Sequence, residues 1–262
     1  MKLSLTRLAV GGLPLRPVPV LRLFGVEAKA SRDRRHLAIG GALAAQLRKE
    51  LVAGGDESAV AVAGPEGAIG YVHVLGGPVG EEDERVLRAA KQAGVPTVVL
   101  ARDRSYVPHV LAQHIIVVRP GVGFPIAELA TALARRGAVA VPLAARLPVL
   151  RPFVCEALVS SAARKNGFVG AAVFIPGADF PVLTFTQLRL VLRIAAVHGQ
   201  EIGPARLPEA LGIVGAAFGY RGVARSLGGL VPGVGWAVKG GIAYGGTRAL
   251  GEAAIRAYEA RG

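Results

Sequence analysis

The sequence predicts an α/β plus all-α protein: a small parallel-sheet α/β domain over residues 1–145, then a glycine-notched helical bundle over residues 146–262. Three observations predict it. From Ser58 to Val141, short β-branched runs alternate with amphipathic stretches, the texture of a parallel sheet wound with helices. From Phe153 onward the apolar residues recur at helical spacing. Between the two, Pro142, Pro148 and Pro152 punctuate a boundary.

Residues 1–25 carry Gly11, Gly12, Pro14, Pro17 and Pro19 among leucines and valines, and read as irregular or short-stranded. Ser31 can cap a helix from Arg32 to about Val52, which would stop before Gly54-Gly55. Ala59–Ala63 and Gly70–Leu75 are strand-like and flank a Gly64-Pro65-Glu66-Gly67 turn. Glu81–Ala93 is an amphipathic helix whose first turn is acidic, the sign that suits a helix N-terminus. Val95–Leu100 and Ile115–Val118 are buried strand runs, Ile126–Arg136 is a helix, and Ala138–Val141 is a last short strand.

Helices are expected over 153–165, 183–197, 205–219 and 236–258, with a shorter apolar segment at 168–174. Two Pro-Gly steps, Pro176-Gly177 and Pro232-Gly233, each precede an apolar helix, and Asp179 is placed to cap the first. His198-Gly199 closes it. In the last helix Ala237, Gly241, Gly245, Ala249 and Ala253 recur every four residues, and Gly241 and Gly245 are expected to face another helix at close range. A Gly215-x-x-x-Gly219 pair lies between. Arg189 and Arg193 sit one turn apart in an apolar stretch, where charge is costly unless paired or wet. They form a solvated edge, a buried network joining the two Pro-Gly helices, or a contact for lipid phosphates. Pro176, Gly177, Asp179, Arg189, Arg193, Pro232, Gly233, Gly241 and Gly245 are therefore the candidate structural or interaction residues.

The net charge is +13, from 31 Lys and Arg against 18 Asp and Glu, and it is spread along the chain. Such an excess fits an anionic surface. Specific nucleic-acid binding is not expected, because only 5% of residues are aromatic and no basic stripe carries stacking side chains. The single cysteine, Cys155, excludes an internal disulfide. The N-terminus lacks an uninterrupted apolar core before Arg7 and Arg16, so no signal peptide is read. The longest apolar stretches are broken by Asp179 or Lys239 and by Pro-Gly, which argues against ordinary spanning helices.

No catalytic, cofactor or metal residues are assigned. A phosphate loop needs Gly-x-x-x-x-Gly-Lys-Ser/Thr between strand and helix. The run Gly64–Gly70 lacks Lys, Ser and Thr and leads into a strand. Gly121-Val122-Gly123-Phe124 precedes a helix but lacks a third glycine at dinucleotide spacing. His36, His73, His109, His114 and His198 form no i,i+4 pair, and Glu81, Glu82, Asp83 and Glu84 read as a solvated helix start.

Several pieces of the helical region together resemble a domain family of unknown function (number 697), found in YcjF-type bacterial membrane proteins and behind Era-like GTPase domains. They are Ile175-Pro176-Gly177-Ala178-Asp179, then Thr184-x-x-Gln187-x-Arg189-x-Val191-Leu192, Val231-Pro232-Gly233-Val234-Gly235, and Gly246-Thr247-x-Ala249-Leu250-Gly251. The preceding region resembles the later half of a GTPase fold, but Ala101-Arg102-Asp103-Arg104 stands where such proteins read guanine with Asn-Lys-x-Asp. The resemblance implies a degenerate GTPase-like domain without nucleotide chemistry or cofactor. It points to a non-enzymatic accessory or scaffold protein, cytoplasmic or at the inner face of the membrane. The partner would be another protein, a GTPase among the candidates, or an anionic membrane surface; a homo-oligomer is compatible with either. The alternative is a nucleotide-binding switch or an enzyme with a non-standard site in the α/β domain.

Overall fold

A computed structural model describes residues 8–10, 13–15, 17–119, 121–172, 180–203, 212 and 235–260. Leu8–Val10 (β1) and Leu13–Leu15 (β2) pair antiparallel, and Pro17–Ser31 forms a helix (α1). Strand Leu37–Gly41 (β3), helix Ala44–Leu51 (α2), and strands Val60–Val62 (β4) and Gly70–Val74 (β5) follow. Helix Glu81–Gln92 (α3), strands Thr97–Ala101 (β6) and Ile115–Val117 (β7), and helices Ile126–Ala134 (α4) and Gly137–Arg146 (α5) come next. Three longer helices complete the described chain: Arg151–Ala172 (α6), Phe180–Val197 (α7) and Gly235–Glu259 (α8). Two compact units result, Arg32–Val154 and, separately, Met1–Ser31 with Cys155–Gly262. The boundary expected at 145 thus falls at 154, and the first 31 residues group with the helices rather than with the sheet.

In the α/β unit five strands pair in parallel in the order β4-β3-β5-β6-β7. Counted along the sheet in chain order this is 2-1-3-4-5, a doubly wound arrangement that reverses between β3 and β5. The β3 strand corrects the expected Arg32–Val52 helix. Leu37, Ala38 and Ile39 are fully buried, so the run is apolar on both sides, as central parallel strands are. Such a run has no period with which to announce itself as a strand. Ser31 ends α1 instead of capping a new helix, its hydroxyl donating to the Ala28 carbonyl. Gly41, at φ 84°, turns the chain out of β3. Residues 63–69 carry β4 into β5 without a crossover helix; Ala63 N–H to the Ile39 carbonyl and Ile69 N–H to that of His36 pin this loop to β3.

Helix α3 covers one sheet face, over Ala38, Tyr71, Val99 and Ile115, with Leu87 and Ala90 as its buried contacts. The expected strand at Ala138–Val141 is instead part of α5, which runs through Pro142. Burial of Ala140, Val141, Leu143 and Ala144 compensates for the hydrogen bond that the proline removes. Arg146, at the end of α5, is buried and donates to Asp56 Oδ2 at 2.9 Å, Ser58 Oγ at 2.9 Å and the Arg34 carbonyl at 3.1 Å.

In the helical unit α6 absorbs most of the segment expected as a separate piece at 168–174, and α7 begins at Phe180 rather than 183. His198 N–H returns to the Ile194 carbonyl, and Gly199 at φ 74° closes α7 as expected. Pro176, Gly177, Asp179, Pro232 and Gly233, the Gly215–Gly219 pair and nearly all of the 205–219 helix lie outside the described residues.

The glycine stripe of α8 is corrected by one residue. Gly241 and Gly245 are exposed, and a Cβ at either would meet nothing within 4 Å. The buried face is Gly240, Ala243, Thr247, Leu250 and Ala254, spaced three and four residues alternately. A helix turns every 3.6 residues, so strict i+4 spacing drifts about 40° per step and leaves the contact face, while alternating steps stay on it. The close approach is real on this neighbouring face. A Cβ on Gly240 would lie 3.0 Å from the Gly167 carbonyl of α6, and one on Gly251 would lie 2.5 Å from Val159 Cγ2.

Candidate functional site

Doubly wound sheets bind ligands outside the carboxyl ends of their strands, where the order reverses. Here that place is ringed by the Gly41-Ala42-Leu43 loop after β3 and the Leu75–Gly80 loop after β5. The β3 loop is stitched to β5. Ala42 N–H donates to the Val74 carbonyl at 2.8 Å, and a Cβ on Gly41 would fall 2.2 Å from that oxygen. Leu43 follows at φ 55° as the N-cap of α2, with no side-chain cap, and it is exposed.

Beside this loop runs a buried polar chain. Tyr71 and His73 alternate onto one face of β5, and Asp83 stands in the first turn of α3. His73 Nε2 lies 2.7 Å from Asp83 Oδ1, and Nδ1 lies 2.9 Å from the Tyr71 hydroxyl. A carboxylate can only accept, so Nε2 carries the proton, and in the neutral ring Nδ1 accepts from Tyr71. Asp83 Oδ2 also accepts the Gly80 N–H at 3.0 Å. Burial pushes the Asp83 carboxyl up, but the Gly80 amide and His73 outweigh it and hold the group below its usual value. Burial, with the negative charges of Asp83 and Glu66, pushes Tyr71 up to about 12. The hydroxyl occupies the space that a Cβ on Gly40 would need, 2.1 Å away.

This arrangement resembles a proton relay in its order of groups but offers no exposed nucleophile. Tyr71 is 1% exposed and held neutral. Its effect is to tie the start of α3 to β5. Sequence reading took Asp83 as one of four solvated acids and found no partner for His73. The period-two spacing of Tyr71 and His73 on a strand was the available signal. Among the described residues no group of three or more His, Cys, Asp or Glu could hold a metal ion.

The second cluster lies in the helical unit and gathers residues of the Thr184-x-x-Gln187 and Gly246-Thr247 pieces. Thr247 Oγ1 donates to the Ala243 carbonyl at 2.7 Å and accepts from Asn166 Nδ2 at 2.9 Å and Gln187 Nε2 at 3.3 Å. Helices α6, α7 and α8 meet on this one hydroxyl, and Asn166, Thr184, Gln187 and Thr247 are all buried. Arg189 and Arg193 are partly exposed along their side chains, and both are paired with an acid. Arg189 Nε binds Glu27 Oε1 at 2.6 Å and Arg193 Nε binds Oε2 at 2.8 Å, so one buried carboxylate of α1 is clamped by two arginines of α7. The sequence alone does not point to Glu27, which lies 162 residues before Arg189 and just past the 1–25 stretch read as irregular or short-stranded.

Three large apolar side chains of α6 and α8 in the same unit are exposed. Phe168 is 74% exposed on α6, and Val238 and Tyr244 are more than a third exposed on α8, beside the bare Gly241 and Gly245. Comparison of the chain with protein-family models, with curated proteins and with solved structures found no match.

Proposed function

We propose that the protein is a non-enzymatic scaffold, with an α/β unit of degenerate GTPase-like descent whose ligand crevice is closed by its own chain and a helical unit that engages a partner. The observation that carries this reading is the stitched β3 loop. A phosphate loop occupies a strand–loop–helix position and offers free backbone amides and a lysine to the phosphates. Here that position reads Gly40-Gly41-Ala42-Leu43, has neither Lys nor Ser or Thr, and gives its Ala42 amide to Val74. The adjoining helix opens with Glu81, Glu82, Asp83 and Glu84, a charge that repels a polyphosphate. At the end of β6 stands Ala101-Arg102-Asp103-Arg104, without the base-reading pair.

Calorimetric titration of the full chain with magnesium-GTP and magnesium-ATP tests this, and no saturable binding is expected. Micromolar binding of either would favour the nucleotide switch instead. The exposed side chains of Phe168, Val238 and Tyr244 support a protein partner for the helical unit, because apolar patches on a surface mark contact sites. An anionic membrane surface is the second reading, favoured by the net charge of +13. No helix among the described residues is long and apolar enough to cross a membrane. Peripheral attachment then predicts flotation with anionic vesicles that weakens in high salt.

A further inference from the structure

Strand β7 is the last in its sheet, and its outer edge is unpaired among the described residues. Val118 N–H points inward, to the Ala101 carbonyl of β6 at 2.7 Å. Backbone directions alternate along a strand, so the Val117 N–H points outward, away from β6. Val117 itself is 36% exposed, and among the described residues no strand pairs with this edge. Proteins usually blunt such an edge with lysines, prolines or a covering element. Here it borders a cleft of about 990 Å³ between β7 and α4. Gly121 and Gly123, both at φ above 80°, swing the chain around the end of that cleft into α4. Ile116, Val117, Val122 and Phe124 give it apolar walls.

The rim is basic. Arg104, Arg119 and Arg135 line the cleft against one acid, Glu128, and none of the three arginines has an ion-pair partner among the described residues. Neighbouring His114 reports the same field: burial first, then Arg136 and Arg135, hold its imidazole below the usual value.

We propose that β7 and α4 form a docking groove for an extended acidic segment of a partner protein, which adds to the sheet as a sixth strand. Main-chain hydrogen bonds to the open edge supply the attachment, alternate apolar side chains enter the cleft, and acidic side chains meet the three arginines. A second copy of this chain is disfavoured by its own charge of +13. The groove lies in the α/β unit and does not depend on what the helical unit contacts.

The test is fluorescence anisotropy of the full chain with a labelled short peptide of alternating valine and glutamate. Binding is expected, weakening as salt rises. A valine–lysine peptide should bind at least about tenfold more weakly, as should the valine–glutamate peptide with alternate amides N-methylated. Val117→Pro removes the outward N–H while sparing the inward bonds, so its melting temperature should hold and its affinity fall about tenfold or more. Arg104→Ser/Arg119→Ser/Arg135→Ser should lose both affinity and salt dependence. Equal binding of the N-methylated peptide or of oligoglutamate would overturn strand addition, leaving a plain anion patch. Absence of binding by the valine–glutamate peptide would overturn the groove itself.

Discussion

Gly40 and Tyr71 show how a single missing side chain positions a buried hydroxyl. The Tyr71 oxygen sits where a Cβ would stand, and Tyr71 has almost no exposed surface into which to retreat. Gly40→Ala is therefore expected to cost about 1–3 kcal/mol by overpacking, measured by chemical denaturation. Tyr71→Phe in the same chain removes the nearest atom and should recover part of that loss; strictly additive effects would show that the two residues do not meet. Asp56 offers a second test through pH. The Ser58 hydroxyl, Arg146 and the Ser58 amide hold its carboxyl at about 2, below the ordinary carboxylate range. A carboxyl lowered in the folded state stabilises above its unfolded value, near 4, and loses that contribution as pH falls toward about 2. The melting-temperature gap between wild type and Asp56→Asn should be open at neutral pH and narrow between pH 4 and pH 2. A gap that widens on acidification would contradict the assignment. The Arg146 partner was not legible in the sequence, because it lies 90 residues from Asp56.

At the scale of elements, legibility followed periodicity. Helix α3 and the long helix α8 announce themselves by regular apolar spacing, and strands β5 and β6 by short β-branched runs beside turn residues. Strand β3 did not, since its buried apolar run is only Leu37-Ala38-Ile39 and it leads straight into the helical spacing of α2, and α5 did not, since Pro142 argued against a helix that burial sustains. The α8 stripe shows the finer limit: recurrence of small residues was visible, but which recurrence faces α6 depends on helical drift. Gly240→Leu must push α8 off the Gly167 carbonyl and Ala171, and is expected to destabilise by about 1–3 kcal/mol or to block folding. Gly241→Leu meets open space and gains helix propensity, up to about 1 kcal/mol of stabilisation. The reverse order of the two variants in thermal melts would place the helix contact on the wrong face. The Glu27 clamp belongs at this scale too. Two arginines a turn apart told of a missing acid, but only the structure supplies α1 as the element that carries it.

For the whole molecule, the account places function in surfaces and not in the crevice of the doubly wound sheet. Composition carried part of that reading: the diffuse charge, the lack of phosphate and base-reading motifs, and the small-residue helices were all visible beforehand. The pairing of the Ala42 amide beside the switch point was not, because its partner carbonyl lies 32 residues away. The most direct measurement is photo-crosslinking in the native cell, with a photoreactive residue at Phe168 of the helical unit and, separately, at Leu43 on the lip of the crevice. Both positions are exposed, at 74% and 63%, so access is comparable. The scaffold account predicts discrete protein or lipid adducts from position 168 and none from position 43. Nucleotide or small-molecule adducts from position 43, with position 168 silent, would contradict it.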